Sequence, residues 1–583
     1  MLDINLEVAL KALLKFFKGY TKESILGPLF KLLEATLELI VPLVIANIVD
    51  YGILNSDRPY VVKMSLVLAL LGAVGLFFSI TAQYYAAKAS VGFVSKIRAS
   101  LFEKIQTLSY SDIDTLGTST LITRMTADTS KVQTGLNLAL RLLLRSPFVV
   151  FGAMIMAYTV SPEGTKSFAL AILLLSIVVF GIMLITMPLY KKVQKGTDSI
   201  LLRTRENLTG VRVIRAFRNE NAEEQSFANE NDELTVMQKR VGMISSLMNP
   251  LTYVIINLAI LWLIEIGAIE VSHGTLTSGE VIALYNYMSQ ILIELIKLAN
   301  LIISISKALA SAHRINDILQ LTSTERTGDV ECKENSINIE FKNVSLTYSE
   351  AGEESLSNVS FTARGGETIG IIGSTGSGKS TLVNLLAGFY PATEGEISIN
   401  GVNVNNYTRE SLRSIFGIVP QHAVLFKGSI RENMRLGNAE ASDEEIIRAI
   451  KIANASEIVE NKGGLDAEIE QGGRNLSGGQ RQRLTIARAL VTEPKVLILD
   501  DSASALDFAT DASLRASLRR ELTDTTVFIV SQRASSIMHA DKILVLEDGE
   551  VIGLGTHTEL LDACAVYREI YESQFREGAS VNG

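Results

Sequence analysis

A chain of 583 residues of which 47% are hydrophobic, with a mean hydropathy of +0.27, is partly dissolved in lipid. Its 54 Lys and Arg against 63 Asp and Glu leave a net charge of −9, which excludes a nucleic-acid partner because phosphate backbones demand a basic face. The two cysteines, Cys332 and Cys564, have no metal-ligand spacing and read as plain thiols.

The chain opens on Asn5–Lys18, where Leu6, Ala9, Leu10, Leu13, Leu14 and Phe17 recur at helical spacing against lysines 11, 15 and 18. That pattern predicts an amphipathic helix in the membrane interface over 1–20, and no cleavable signal peptide. Six apolar runs follow within a membrane domain at 21–310, near 26–48, 62–85, 136–160, 168–189, 247–271 and 281–303. Each is long enough to cross a hydrocarbon layer of roughly 30 Å. Positive charge gathers between spans two and three (Lys88, Lys96, Arg98, Lys104, Arg124, Lys131) and between spans four and five (Lys191, Lys192, Lys195, Arg203, Arg205, Arg212, Arg215, Arg218, Lys239, Arg240). Both segments, and with them both termini, are expected on the cytoplasmic side of a cell membrane. Helical periodicity runs on through Val91–Leu108 and Leu121–Leu136, with polar breaks near 109–120 and 207–212, which predicts long helical levers rather than loops.

Within the spans, Gln290, Glu294, Lys297 and Asn300 share one face of span six. They are candidates for a substrate-cavity wall or for a self-neutralised packing face, with Glu294 and Lys297 as an i,i+3 pair. Arg141 and Arg145 open span three and are expected to snorkel to the cytoplasmic interface. Glu265 interrupts span five without a partner nearby in sequence.

Hydropathy falls across a linker at 311–336, and a second domain is expected at 337–578 with a tail at 579–583. Its first strand, Ile337–Val344, leads to Tyr348, a ring that could stack on a nucleotide base or simply pack. Gly373, Ser374, Thr375, Gly376, Ser377, Gly378, Lys379, Ser380 and Thr381 then follow an apolar strand and enter a helical run. Glycines there let backbone N–H groups turn around phosphates, Lys379 is placed for the β- and γ-phosphates, and the Ser380 hydroxyl for Mg²⁺. Leu476, Ser477, Gly478, Gly479 and Gln480 precede the helical run Gln482–Leu490 and offer a second anion-binding surface. One γ-phosphate cannot be held by both surfaces of one chain if they lie far apart, which argues for a dimer.

The strand Val496–Leu499 ends in two acids. Asp500 can hold a metal-bound water, while Asp501 stops a carbon–carbon bond short of the attacking water, and a misplacement of about 1 Å can cost on the order of a hundredfold in rate. Farther along the chain, the strand Val527–Val530 leads through Ser531 to Gln532 at its end.

In this order, and behind six spans, these motifs resemble an ABC exporter half-transporter over nearly the whole chain; the Leu476–Gln480 run is highly specific to that family. The resemblance implies a multidomain membrane protein, an all-α six-helix transmembrane domain followed by an α/β P-loop ATPase domain, with ATP and Mg²⁺ as cofactors. It implies that Tyr348 stacks adenine, that Gln421 senses Mg²⁺ and the membrane domain, that Asp507 lies at the dimer seam, and that the turns near Ser109–Thr120 and Asn207–Arg212 are coupling helices. Asp501 then replaces the family's catalytic glutamate and Gln532 its switch histidine, while Ile469–Gly473 departs from the usual segment before the signature. None of His273, His313, His422, His539 and His557 fills the vacant position.

That pattern is similar to the degenerate-site subunit of bacterial heterodimeric multidrug exporters. It implies a partner half-transporter with a competent glutamate, and amphipathic drugs or lipids as transported compounds. The alternatives are a slow homodimeric exporter and a nucleotide-gated membrane regulator or channel.

Overall fold

The computed structural model describes residues 12–322, 328–332, 336–348, 352–502 and 504–579. Residues 1–11 of the expected interfacial helix lie outside them; in the part described, Leu13 and Phe16 are buried and Leu14 is exposed. The chain forms two compact units, one of residues 1–106 and 119–321, the other of 107–118 and 322–583.

The first unit is built on six long helices: α1 (Thr21–Ile53), α2 (Arg58–Gln106), α4 (Thr118–Val160), α5 (Pro162–Thr209), α7 (Glu220–Ser272) and α8 (Ser278–Gln320). All six are apolar and long enough to cross a membrane. They outrun a bilayer as well: the 49 residues of α2 extend about 74 Å at the α-helical rise. Two short helices interrupt the series, α3 (Tyr110–Leu116) and α6 (Val211–Ala216). The Ser109 hydroxyl accepts from the Asp112 amide and the Asp112 carboxylate accepts from the Ser109 amide, so α3 starts on a closed capping box. The second break falls at Gly210, inside the expected 207–212: Asn207 to Thr209 continue α5, Gly210 ends it and α6 begins at Val211.

Charges inside this unit are paired across helices. Glu294 on α8 is 2% exposed and accepts from Arg145 at 2.6 Å, Ser146 at 2.8 Å and Lys297 at 2.8 Å. The other end of the Arg145 guanidinium reaches Glu38 of α1 at 2.5 Å. Arg145 therefore does not snorkel; it is 6% exposed and clamps α1, α4 and α8 together. Of the four polar residues of span six, Glu294 is buried, Gln290 is half-buried with no partner for its Oε1, and Lys297 and Asn300 are exposed. Arg141 is half-buried and its Nε has no partner, while Glu265 is exposed.

Farther along α4, Asp128 is 1% exposed and accepts from Arg314 at 2.6 and 3.0 Å, from Ser311 at 3.0 Å and from Arg124 at 2.8 Å. It ties the extension of α4 to that of α8. Asp128 and Arg141 both lie in π-helical turns, where one extra residue per turn rotates a side chain away from its α-helical direction.

The second unit layers two sheets against helices. An antiparallel sheet has the order β2 (Leu356–Ala363), β1 (Ile339–Leu346), β4 (Glu394–Ile399), β5 (Val402–Asn403). A six-stranded sheet has the order β12 (Glu550–Gly555), β11 (Lys542–Glu547), β3 (Thr368–Gly373), β10 (Thr526–Val530), β9 (Val496–Asp500), β6 (Phe416–Val419), parallel except for β12. Two-residue strands β7 (Gly428–Ser429) and β8 (Glu468–Ile469) pair separately. Four residues of β9, Val496 to Leu499, are buried, as a parallel strand covered on both faces must be. Segment 107–118 belongs to this unit, where Tyr110 stacks on Phe389 at 4.4 Å and Asp114 accepts from the Tyr390 hydroxyl.

Removing one member of a buried pair strands the other. Glu294→Ala is expected to cost about 3 kcal/mol or more, read as a lower thermal midpoint of the detergent-solubilised protein. The double change Arg145→Met with Glu294→Leu is expected to recover part of that loss, because the two charges it leaves without these partners, Glu38 and Lys297, are partly exposed and only the Ser146 hydroxyl is stranded in the interior.

Candidate nucleotide site

Strand β3 lies between β11 and β10 and delivers Gly373 to the sheet's carboxyl end. A Cβ on Gly373 would lie 2.2 Å from the Leu546 carbonyl oxygen, so no side chain fits there. Gly376 and Gly378 follow with φ of 88° and 91°, left-handed values that glycine adopts without steric cost, and they curl the loop back into helix α9 (Lys379–Leu386). The Lys379 ammonium folds over this loop, donating to the Gly373 carbonyl at 2.9 Å and the Ser374 carbonyl at 2.5 Å. Burial pulls its pKa down, against the pull of Asp501 and Asp500. A loop wrapped on its own lysine, at a helix N-terminus, is a cradle whose main-chain bonds to Lys379 can be exchanged for phosphate oxygens.

Beyond it, β9 brings Asp500 beside the helix. Ser380 Oγ lies 3.5 Å from Asp500 Oδ1, so hydroxyl and carboxylate face one point, as ligands of a hard cation do. Asp501 takes a left-handed backbone with φ of 44°, fixed by its N–H donating to the Val530 carbonyl at 3.0 Å. Its carboxyl is half-buried, and burial pushes its pKa up against the opposing charges of Lys379 and Arg533. Burial raises Asp500 likewise, offset by its hydrogen bond with Ser380.

A cavity of about 990 Å³ is bounded by these groups together with Thr375, Gly376, Gly378, Thr381, Gln421 and Gln532. Sequence reasoning missed the opposite rim, Gly352 to Ser355 and Asp548–Gly549. A signal for the latter was present: Asp-Gly between two apolar runs marks a tight hairpin, and both residues have positive φ, 45° and 84°, at the β11–β12 turn.

Tyr348 is half-buried beside this loop, its hydroxyl 3.4 Å from Thr381 Oγ1 and its ring edge-on to Tyr390. The Leu476–Gln480 run stands apart. Among the described residues none of it lines the cavity. Ser477 instead opens helix α10 (Gly478–Leu490) with a capping box, accepting from the Gln480 amide at 3.3 Å while Gln480 Oε1 accepts from the Ser477 amide at 3.0 Å. Gly478 is exposed and Gly479 half-buried. Asp507 caps helix α11 (Phe508–Glu521), accepting from the Thr510 amide at 2.9 Å and hydroxyl at 2.7 Å, bonds that hold its carboxyl below the usual range.

Comparison with known proteins places both units. Residues 24–295 match the family described as the ABC transporter transmembrane region, and residues 356–504 the family described as ABC transporter. YfiB of Bacillus subtilis, named an uncharacterized ABC transporter ATP-binding protein, is 37% identical over 97% of this chain and 99% of its own. YgaD of the same organism, named a putative multidrug export ATP-binding/permease protein, is 30% identical over 97% of this chain and 99% of its own. The solved structure of a bacterial Atm1-family ABC exporter with ATP bound superposes with a TM-score of 0.79 at 25% identity, covering 95% of this chain and 98% of that one.

The Asp501 shift has a testable sign. A carboxyl whose folded pKa is raised favours folding where it is protonated, and that contribution is lost as pH rises from the unfolded value, about 3.9, through the raised one. Asp501→Asn is therefore expected to raise the nucleotide-free thermal midpoint relative to the parent at pH 7, with the gap closing towards pH 4. A gap independent of pH would show that the charge is not the cause.

Proposed function

The chain belongs to the ABC transporters as an exporter with fused transmembrane and ATPase domains, and on that premise we propose that it is one subunit of a heterodimeric exporter of amphipathic compounds, drugs or lipids, in the cell membrane. Its own nucleotide site binds ATP and hydrolyses it weakly. Its Leu476–Gln480 run completes the competent site of a partner half-transporter that carries a glutamate at the position of Asp501. Both termini face the cytoplasm. The observation that carries this reading is that the two departures from the family, Asp501 and Gln532, line one cavity together with an intact Lys379, Ser380 and Asp500.

In that cavity Lys379 and the amides of the Gly373–Thr381 loop hold the β- and γ-phosphates, and Tyr348, which stands outside its lining, packs at the adenine end. Ser380, Gln421 and, through water, Asp500 would hold Mg²⁺, which supplies charge neutralisation on the phosphates. Asp501 has the burial of a general base without the reach, and Gln532 can donate or accept a hydrogen bond but cannot carry a proton away at neutral pH. The multidrug export named for YgaD supports the export class, and the exposure of Ser477 and Gly478 supports completion of a site on a second chain.

Co-purification from native membranes with a second half-transporter is the expected finding. In the chain purified alone, Asp501→Glu is expected to raise ATP turnover by about tenfold, short of the roughly 10²–10⁴-fold that a general base contributes, because Gln532 remains. Full recovery from that single change would show that Gln532 is no part of the deficit, and brisk turnover by the unaltered chain alone would favour a homodimer.

A further inference from the structure

The backbone that carries Gln532 is held from an unexpected direction. Beyond β10, residues Ser531 to Arg533 lead into a short helix at Ala534–Ile537. The side chain of Gln574, on the helix α12 (Ala565–Ala579) near the end of the chain, spans this turn. Its Nε2 donates to the Gln532 carbonyl at 2.8 Å, and its Oε1 accepts from the Ala534 amide at 2.8 Å. A carbonyl can only accept and an amide N–H can only donate, so the two partners fix which way the Gln574 side chain faces.

Helix α12 is itself anchored: Tyr567 is fully buried in a cluster with Ile372, Ala534 and Ile537, and Ile570 and Tyr571 pack against the same cluster. Gln574 lies seven residues beyond Tyr567, on the same helical face. On its other side the turn is pinned by Arg533, whose guanidinium donates to the Leu506 carbonyl at 3.4 Å and lies 4.9 Å over the Phe508 ring, beside the cap residue Asp507. The turn bearing Gln532 thus sits between α12 and the start of α11.

We propose that Gln574 is a positioning residue that holds the Gln532 turn at the γ-phosphate end of the cavity, so that the seating of α12 sets how strongly this site prefers ATP to ADP. This rests on the reading of Gln532 given above. Gln574 does not line the cavity itself; it acts through the main chain on either side of Gln532 and Arg533.

The test is a double-mutant cycle on the purified full-length chain with Mg²⁺, reading the ratio of ADP to ATP dissociation constants by displacement of a fluorescent nucleotide in the cold. Gln574→Met, which keeps the length and removes both hydrogen bonds, is expected to lower the ratio about fivefold, the scale of one neutral hydrogen bond. Gln532→Ala is expected to lower it as far, and the double variant no further. Gln574→Glu, which keeps the acceptor for the Ala534 amide but sets a carboxylate oxygen against the Gln532 carbonyl, is expected to lower the ratio at least as far as Gln574→Met.

Equal weakening of both nucleotides by Gln574→Met, or effects that multiply in the double variant, would overturn the positioning role. A ratio moved by Gln532→Ala but not by Gln574→Met would do the same. A ratio unmoved by Gln532→Ala would instead overturn the placement of Gln532 itself.

Discussion

Val530 pairs with Ile371 on one side and with Asp500 on the other. That parallel register brings the ends of β3, β10 and β9 to one level, and the centre of the cavity hangs from those three ends: the phosphate loop from β3, the two acids from β9 and the Gln532 turn from β10. In a parallel sheet with both faces covered, a slip of one residue would drive the polar ends of the strands into the core and draw apolar residues out of it. The site's geometry is therefore as firmly specified as the core beneath it. Asp501 illustrates the point, since its amide is bonded to the Val530 carbonyl where its backbone turns left-handed.

The membrane unit obeys a related constraint with charges in place of strands. Glu294 and Asp128 are both almost fully buried, and each is met by an arginine from another helix and by a serine hydroxyl. A buried carboxylate without such partners would cost more than the packing around it returns. The consequence is mechanical: α4 and α8 are bonded both within the apolar stretch and along their extensions.

How much of this was legible in the sequence follows from range. The phosphate loop, the Ser477 cap and the six apolar runs are local patterns, because neighbours in sequence make the turn, the cap or the hydrophobic stretch. Arg145 was misread because its partners, Glu38 and Glu294, lie far away in the chain, and only the packing of α1, α4 and α8 reveals that an arginine at the head of a span is turned inward. The break after α5 falls within the expected 207–212, but its position there is set by Gly210, since Asn207–Thr209, which look like turn residues, continue the helix. Gln574 carried no signal at all: a lone glutamine on an amphipathic helix gains meaning only from the turn it meets. Asp548–Gly549 did carry one, since an Asp-Gly pair between apolar runs specifies a hairpin, but not which cavity that hairpin borders.

The central claim is a division of labour in which this chain holds nucleotide at Lys379 and leaves fast hydrolysis to a partner. The most direct measurement is the steady-state ATP turnover of the purified chain alone, compared with its Lys379→Ala variant. The account predicts turnover within about twofold of that variant and well below the roughly 1 s⁻¹ at the lower end of typical enzymes. Turnover at or above that rate, abolished by Lys379→Ala, would contradict it.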